Sequence, residues 1–205
     1  MTISLLHHTP LVIASKSIRK CYKSEGLSDS QAFGDLSYLG EKDKNLIHRI
    51  GNQMKHKSTL RHVQYVFECD NISTKTLLAL TRHSIGKDIS VESTRFTLSK
   101  RANELSYTKT GNKYVDDCNE KIMEMVAIGV EKGIKNDDLS MLLSQAYNYS
   151  FIMTMNIQSL QHFLELRTNS QTAHWDIVNF ANALADKIPE EHKYLFDEYV
   201  YKDNK

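Results

Sequence analysis

Disulfide and thiolate-metal chemistry have little to work with in this chain. Its three cysteines, Cys21, Cys69 and Cys118, are odd in number and far apart, and none sits in a Cys-x-x-Cys pair. That excludes a disulfide framework and a zinc knuckle, and it predicts reduced thiols in a cytoplasmic compartment. Proline is nearly missing too, with Pro10 and Pro189 the two examples. So few breaks, with 40% hydrophobic residues over 205 positions, predict one globular domain spanning 1–205. Neither sign of charge is in excess, since 26 Lys and Arg face 25 Asp and Glu for a net +1. A broad nucleic-acid surface needs a basic face and is therefore not expected, although a small basic pocket for one phosphate is compatible. No apolar run approaches the roughly eighteen residues of a membrane span. The N-terminal MTISLLHHTPLVIAS has neither a basic leader region nor a convincing cleavage site. A soluble, unexported protein with no membrane contact is expected. There is no internal repeat, and the only compositional bias is the charged tail 202–205.

What is present reads as mixed in the first half and helical in the second. Pro10 to Ser15 reads as a short strand and Lys16 to Lys23 as a helix with Ile18 and Cys21 inward. Ser24 to Gly40, with scattered Phe33, Leu36 and Tyr38, reads as a loop. Leu46, Ile47, Ile50 and Met54 have the spacing of an amphipathic helix over 41–55. From His62 to Asp70 the pattern alternates, with Val63, Tyr65, Phe67 and Cys69 on one face, as a strand requires. Asn71-Ile72-Ser73 is a turn and N-cap for a helix through Leu77, Leu78 and Leu80. Ser93 to Leu98 is a further strand candidate. A helix over Glu120–Lys132 is stopped by Gly133. Leu139, Leu142, Leu143, Ala146, Met153, Ile157, Leu160 and Leu164 form a stripe that fits one long, bent helix. Helices over Trp175–Lys187 and from Pro189 through Tyr199 complete the chain. The expected class is α/β (α+β), a central mixed or antiparallel sheet with a long-helix C-terminal half.

Two clusters carry chemistry. Arg82-His83-Ser84-Ile85-Gly86-Lys87-Asp88-Ile89-Ser90-Val91-Glu92-Ser93-Thr94-Arg95 follows an apolar run and begins at a helix C-terminus. Arginine presents a fixed fork of donors to phosphate, and Ser90, Ser93 and Thr94 add short hydroxyl donors. Composition alone favours a solvated loop, because polar Ser- and Lys-rich segments usually are one. The second cluster is Asn156-Ile157-Gln158-Ser159-Leu160-Gln161-His162-Phe163-Leu164-Glu165-Leu166-Arg167. It lacks the usual Lys/Glu surface mixture and closes on an arginine.

Together these blocks resemble the flavin-dependent thymidylate synthases, and the wording of Val91-Glu92-Ser93-Thr94-Arg95-Phe96-Thr97-Leu98 is similar to a divergent bacterial branch of them. That family carries Arg-His-Arg, a gap, then Ser and a closing Arg, and later Asn-x-Arg-Ser-Leu-x-Asn-Phe-Leu-x-Leu-Arg before an aromatic segment. Arg82-His83, Ser93-Thr94-Arg95, Asn156-x-x-Ser159-Leu160, Phe163-Leu164-x-Leu166-Arg167 and Trp175-Asp176-Ile177 match it in order. Lys55-His56-Lys57-Ser58-Thr59-Leu60-Arg61-His62 is similar to the family's His-x-Thr-x-x-Glu-His. The resemblance implies a homotetramer with an intersubunit active site, FAD as cofactor, and methylation of dUMP to dTMP. Methylenetetrahydrofolate would supply the carbon and NADPH the reducing equivalents. It places His56, Ser58, Arg82, His83, Asn156 and His162 at FAD, and Ser93, Arg95 and Arg167 at dUMP, with Arg167 and Ser93 in the catalytic role. No metal is implied, and the partners are a small-molecule nucleotide and a folate.

The chain departs from the family pattern at several positions. Ser84 replaces the third residue of Arg-His-Arg, and the Arg82–Arg95 stretch is longer by one residue. Val91 falls where the family has glutamate, with Glu92 one position off. Gln158 replaces an arginine, His162 an asparagine, Arg61 a glutamate, and Ser140 a further arginine. Arg61, Lys87 and His162 are new basic groups nearby. These changes keep two alternatives in view: a related flavin- and folate-dependent pyrimidine deoxynucleotide (hydroxy)methyltransferase, or a nucleotide-binding homologue without catalysis. Elsewhere, bland roles are expected. His7-His8 lacks Cys or Asp partners for a metal, and His48 with Asn45 and Asn52 reads as helix surface. Tyr147, Tyr149 and Phe151 read as packing, and Trp175 as core. Asp116-Asp117 and Asp137-Asp138 suit helix starts.

Overall fold

The computed structural model describes residues 1–30 and 36–201. Phe33 of the expected loop and the charged tail 202–205 lie outside the described residues. Four strands, β1 (Thr2–His8), β2 (Gln64–Ser73), β3 (Lys87–Val91) and β4 (Asn148–Asn156), form one sheet in the order β1-β2-β4-β3. Backbone bonds at the strand ends set an antiparallel register. Thr9 N–H donates to Gln64 at 2.9 Å, Ile157 to Val63 at 3.0 Å and Thr74 to Tyr147 at 2.8 Å. Glu92 donates to Ser150 at 3.1 Å and Asn156 to Gly86 at 3.0 Å. The expected α/β class forms, and of the two expected sheet types, mixed or antiparallel, it is the antiparallel one.

β2 follows the alternation read from its sequence, for Val63, Tyr65, Phe67 and Cys69 are all buried while Gln64 and Glu68 are exposed. β4 was not expected. Its buried Phe151, Met153 and Met155 recur every second residue, but Met153 also continues the helical stripe that starts at Leu139. The single long helix over 139–164 is therefore corrected to a short helix, a strand and a second helix. Ser93–Leu98 is not a strand either. The hydroxyl of Thr97 donates to Ser93 O at 3.0 Å and closes a helical turn.

The chain groups into two compact units. The first comprises 1–3, 68–82 and 89–152. It carries α3 (Thr74–Leu80), α4 (Thr94–Thr97), α5 (Lys113–Glu131) and α6 (Asn136–Leu139). Ser73 caps α3 by accepting from Thr76 N at 3.0 Å, as its sequence predicts. α5 starts on Asn112, with Asp116 in its first turn, and stops before Gly133 at φ +73°. Leu98, Met123, Val126, Leu139 and Tyr147 form the core of this unit.

The second unit comprises 4–67, 83–88 and the chain from 153. It carries α1 (Val12–Cys21), α2 (Glu41–His48, continued by a wider turn to Gln53), α7 (Ile157–Arg167) and α8 (Trp175–Ala185). The apolar run expected as a strand at Pro10–Ser15 enters α1, because Val12, Ala14, Ser15, Ile18 and Arg19 recur at helical spacing and are buried. Cys21, expected inward, is exposed. Trp175, expected in the core, opens α8 at 44% exposure against His174. Asn52, expected at the surface, is buried and bonds Leu195 O at 3.1 Å and Gln161 at 3.1 Å. The last predicted helix is a 3-10 segment, Glu190–Leu195.

Arg19 and Asp43 form a buried ion pair, with Nη2 and Nε of Arg19 at 2.6 and 2.9 Å from one carboxylate oxygen. Ser28 and Ser30 hydroxyls donate to the other oxygen at 2.5 and 2.6 Å. Among the described residues no helix is long and apolar enough to cross a membrane.

Candidate functional site

In the second unit, the segment His83–Asp88 lies against the start of α7. Asn156 caps that helix, its side-chain oxygen accepting from Ser159 N at 2.9 Å. Its backbone N–H donates to Gly86 O, and the Ser159 hydroxyl donates to Ile85 O at 2.6 Å. Cap and loop thus share a few atoms. Gly86 sits at φ +65°, and a Cβ there would collide with the Asn156 amide and the Ser159 hydroxyl. Gly86→Ala is therefore expected to lower stability by about 2–3 kcal/mol, summing left-handed strain and a weakened cap. An unchanged denaturant midpoint would contradict this docking.

At the other end of α7, Arg167 Nε donates to His83 Nε2 at 3.0 Å. That bond requires an unprotonated Nε2, so the neutral His83 ring carries its hydrogen on Nδ1. Burial pushes the imidazole down to about 4, and the nearby Arg167, His162 and Lys87 add to the shift. His83 is therefore neutral at physiological pH. The ring packs edge-on against Phe163, centroids 5.1 Å apart, and lies 6.1 Å from the His162 ring. A cation at a helix C-terminus is also favoured by the macrodipole, which suits Arg167 as the last residue of α7. Lys87 is half-buried, and burial lowers its pKa.

His83 thus meets Arg167 and His162 near the C-terminal end of α7, while Asn156 caps the opposite end of that helix and meets the same segment at Gly86. Gly86 and Ser159, which hold them in place, were given no role by sequence. The signal was the Asn156-x-x-Ser159 cap, hidden because the long-helix reading put Asn156 inside a helix. His56 and Ser58 are exposed in the 3-10 turn Lys57–His62 and its lead-in. Two departures meet there, for Arg61 Nε donates to Gln158 Oε1 at 2.5 Å. The position expected to be acidic and the one expected to be arginine have exchanged donor and acceptor. His162 itself is exposed, 3.9 Å from Glu165.

In the first unit, Arg82 follows α3 with an exposed side chain and no ion pair among the described residues. Ser93 is exposed at the head of α4. Arg95, with its side chain 67% exposed, faces Asp137 at 3.5 Å. A solvated pair of this kind contributes about 0–1 kcal/mol, so a phosphate can displace the carboxylate. Glu92 is not available to a ligand in the same way. Its carboxylate binds Arg101 at 2.7 Å and accepts from Ser150 N at 3.1 Å. Ser140 donates to Asp137 O at 2.8 Å and closes a turn. Val91 ends β3, partly exposed. Burial pushes the Cys69 thiol up to about 12, helped by Asp70 and Glu68, so it is no nucleophile at neutral pH.

The fold is of the α/β class with an antiparallel sheet; its first unit carries the exposed donors Arg82, Ser93 and Arg95, and its second the Arg167–His83 pair, groups whose chemistry suits an anion. Residues 4–192 match the profile of the family described as thymidylate synthase complementing protein. The chain is 37% identical to a flavin-dependent thymidylate synthase of Campylobacter jejuni, over 99% of both chains. It is 36% identical to the one from Wolinella succinogenes, over 96% of this chain and 97% of that one. The crystal structure of thymidylate synthase X from Helicobacter pylori with FAD and dUMP superposes with a TM-score of 0.85 at 33% identity, covering 98% of this chain and all of that one. The chain belongs to the flavin-dependent thymidylate synthase family, a family of enzymes.

Proposed function

We propose that this chain methylates dUMP at C5 to give dTMP, with FAD as cofactor, methylenetetrahydrofolate as carbon donor and NADPH as reductant. The observation that carries the reading is the Arg167–His83 bond at 3.0 Å. It joins the two sequence blocks whose order matches the family, and it orients an arginine whose terminal nitrogens take no protein acceptor among the described residues.

The donor set suits the groups it would hold. Arg82 of the first unit and His56 and Ser58 of the second are exposed N–H and O–H donors suited to the anionic pyrophosphate of FAD, and His83, Asn156 and His162 are assigned to the same cofactor. When bound, FAD supplies the redox chemistry, relaying a hydride that no side chain of this protein can carry. The chain's own part is binding and orientation. Ser93, Arg95 and Arg167 hold dUMP, with Ser93 and Arg167 at the reacting base. His83 keeps its Nδ1 hydrogen and holds Arg167 in place through Nε2. The site is proposed to be assembled from more than one copy of a single-domain chain in a cytoplasmic homotetramer.

Purified protein should be yellow or become so with FAD. Incubation with dUMP, methylenetetrahydrofolate and NADPH should yield dTMP by mass analysis. A colourless protein that takes up no FAD sinks the reading, and a hydroxymethylated product would move it to the related pyrimidine transfer. Arg82→Ala is expected to lower FAD occupancy roughly tenfold or more, for a lost charge-assisted contact of about 1.5–3 kcal/mol. Its affinity for dUMP should stay near that of the parent, and a reversed pattern would reassign Arg82.

A further inference from the structure

His8 has no metal partner in its sequence neighbourhood, but the fold supplies two. It lies at the end of β1, beside His192 and Glu191 of the 3-10 segment, and one ligand atom from each of the three falls within 4.8 Å of the others. The His8 and His192 rings meet edge-on at 89°, centroids 4.8 Å apart. His8 Nδ1 is shut off from solvent and has no hydrogen-bond partner among the described residues. Buried polar atoms rarely go without a partner, so an orphaned imidazole nitrogen on a ring packed against a second imidazole needs a reason. His192 is 1% exposed, and its Nδ1 lies 2.8 Å from the hydroxyl of Tyr65, which is itself fully buried.

We propose that His8, Glu191 and His192 bind a zinc-class divalent cation, tying the end of β1 to the segment 190–195. Two imidazoles and a carboxylate form a nitrogen- and oxygen-rich set suited to zinc. His192 presents Nε2 to the ion when its Nδ1–H donates to the Tyr65 oxygen, the arrangement in which an outer group fixes ring tautomer and direction. Ligand nitrogens in a tetrahedral shell sit roughly 3.4 Å apart at Zn–N distances of about 2.0–2.1 Å. Closing from 4.8 Å asks for small side-chain rotations, and Glu191, exposed at the rim, has the freedom to make them. Water from that rim takes the fourth position. The ion acts as a staple, not as part of the methylation chemistry.

The test is zinc competition against a chromophoric chelator on tag-free, full-length protein stripped of metal, with a cobalt spectrum alongside. One tight zinc per chain is expected, with cobalt bands free of thiolate charge transfer. His8→Ala and Glu191→Gln should weaken binding about a hundredfold or more, and Tyr65→Phe about 10–100-fold. His7→Ala should leave it unchanged. No zinc uptake, equal uptake by His8→Ala and the parent, or a thiolate band placing the metal on cysteine would each overturn the proposal. Folding of the variants is checked by circular dichroism, and dTMP formation is not used as the readout.

Discussion

Arg167→Ala is expected to abolish turnover while leaving a folded protein. The guanidinium sits at the C-terminal end of α7, half-buried, and uses Nε for His83. On the proposed assignment, removing it takes away a charge-assisted contact to a nucleotide anion of about 1.5–3 kcal/mol, or roughly one to two orders of magnitude in dUMP affinity. The loss in rate should be larger, because a base held loosely is also misaligned. Stability should change little, since a cation at a helix C-terminus contributes about 0.3–1 kcal/mol. A second readout separates orientation from mere structure. With the neighbouring positive charge and its hydrogen bond gone, the His83 imidazole should titrate above its present value of about 4 yet stay below 6.5, because burial, the largest cause of the shift, remains. Nuclear magnetic resonance of the ring follows this directly. Arg167→Lys should restore charge without the planar fork and recover little turnover. Folded Arg167→Ala protein with parental dUMP affinity would remove Arg167 from the site.

Asp43→Ala should give the largest loss of stability. Asp43 is fully buried, and its removal leaves the Arg19 guanidinium, 8% exposed, without its counter-charge. Breaking a buried pair on one side costs about 3–5 kcal/mol. For a chain of this length that corresponds to a melting temperature lower by roughly 6–20 °C. The pair also sets an acid limit. Burial raises the Asp43 pKa, but the hydroxyls of Ser28 and Ser30 and the Arg19 guanidinium outweigh it and hold the carboxyl at about 2 against an ordinary 3.8. A depressed carboxyl stabilises the fold in full above 3.8, and this contribution is lost as pH falls through about 2. Acid unfolding of the parent should therefore steepen in that window, and that of Asp43→Ala should not. Arg19→Met with Asp43→Leu is expected to recover more than half of the loss, because two apolar side chains of similar reach leave no orphaned charge. A single-variant loss below about 1 kcal/mol would mean that water reaches the pair and screens it.

How much was legible depended on whether local pattern and tertiary placement agreed. β2 could be read because Val63, Tyr65, Phe67 and Cys69 alternate and no competing helical spacing overlaps them. The later turns of α5 could be read from helical spacing and from Gly133 at its end, but the helix starts at Lys113 on the Asn112 cap, ahead of the expected Glu120. β4 could not, since Met153 fits both a period of two and the helical stripe from Leu139 to Leu164. That one ambiguity hid the Asn156 cap, and with it the Ser159 and Gly86 contacts. The candidate residues Arg82, His83, Ser93, Arg95 and Arg167 could be picked out through ordered motifs, but their bonds could not. Nothing in the sequence links Arg61 to Gln158, or Arg19 to Asp43.

By itself, the sequence determined the near-neutral charge, the free thiols, the alternating strand pattern of β2 and the ordered blocks that place the chain in its family. These depend on residue type and on spacing along one element, and both are local. Tertiary structure alone decided that His83 stays neutral against Arg167, that Glu92 is occupied by Arg101, and that His8 meets His192 across the length of the chain. Each of those depends on burial and on distances between residues far apart in sequence, and no periodicity encodes them.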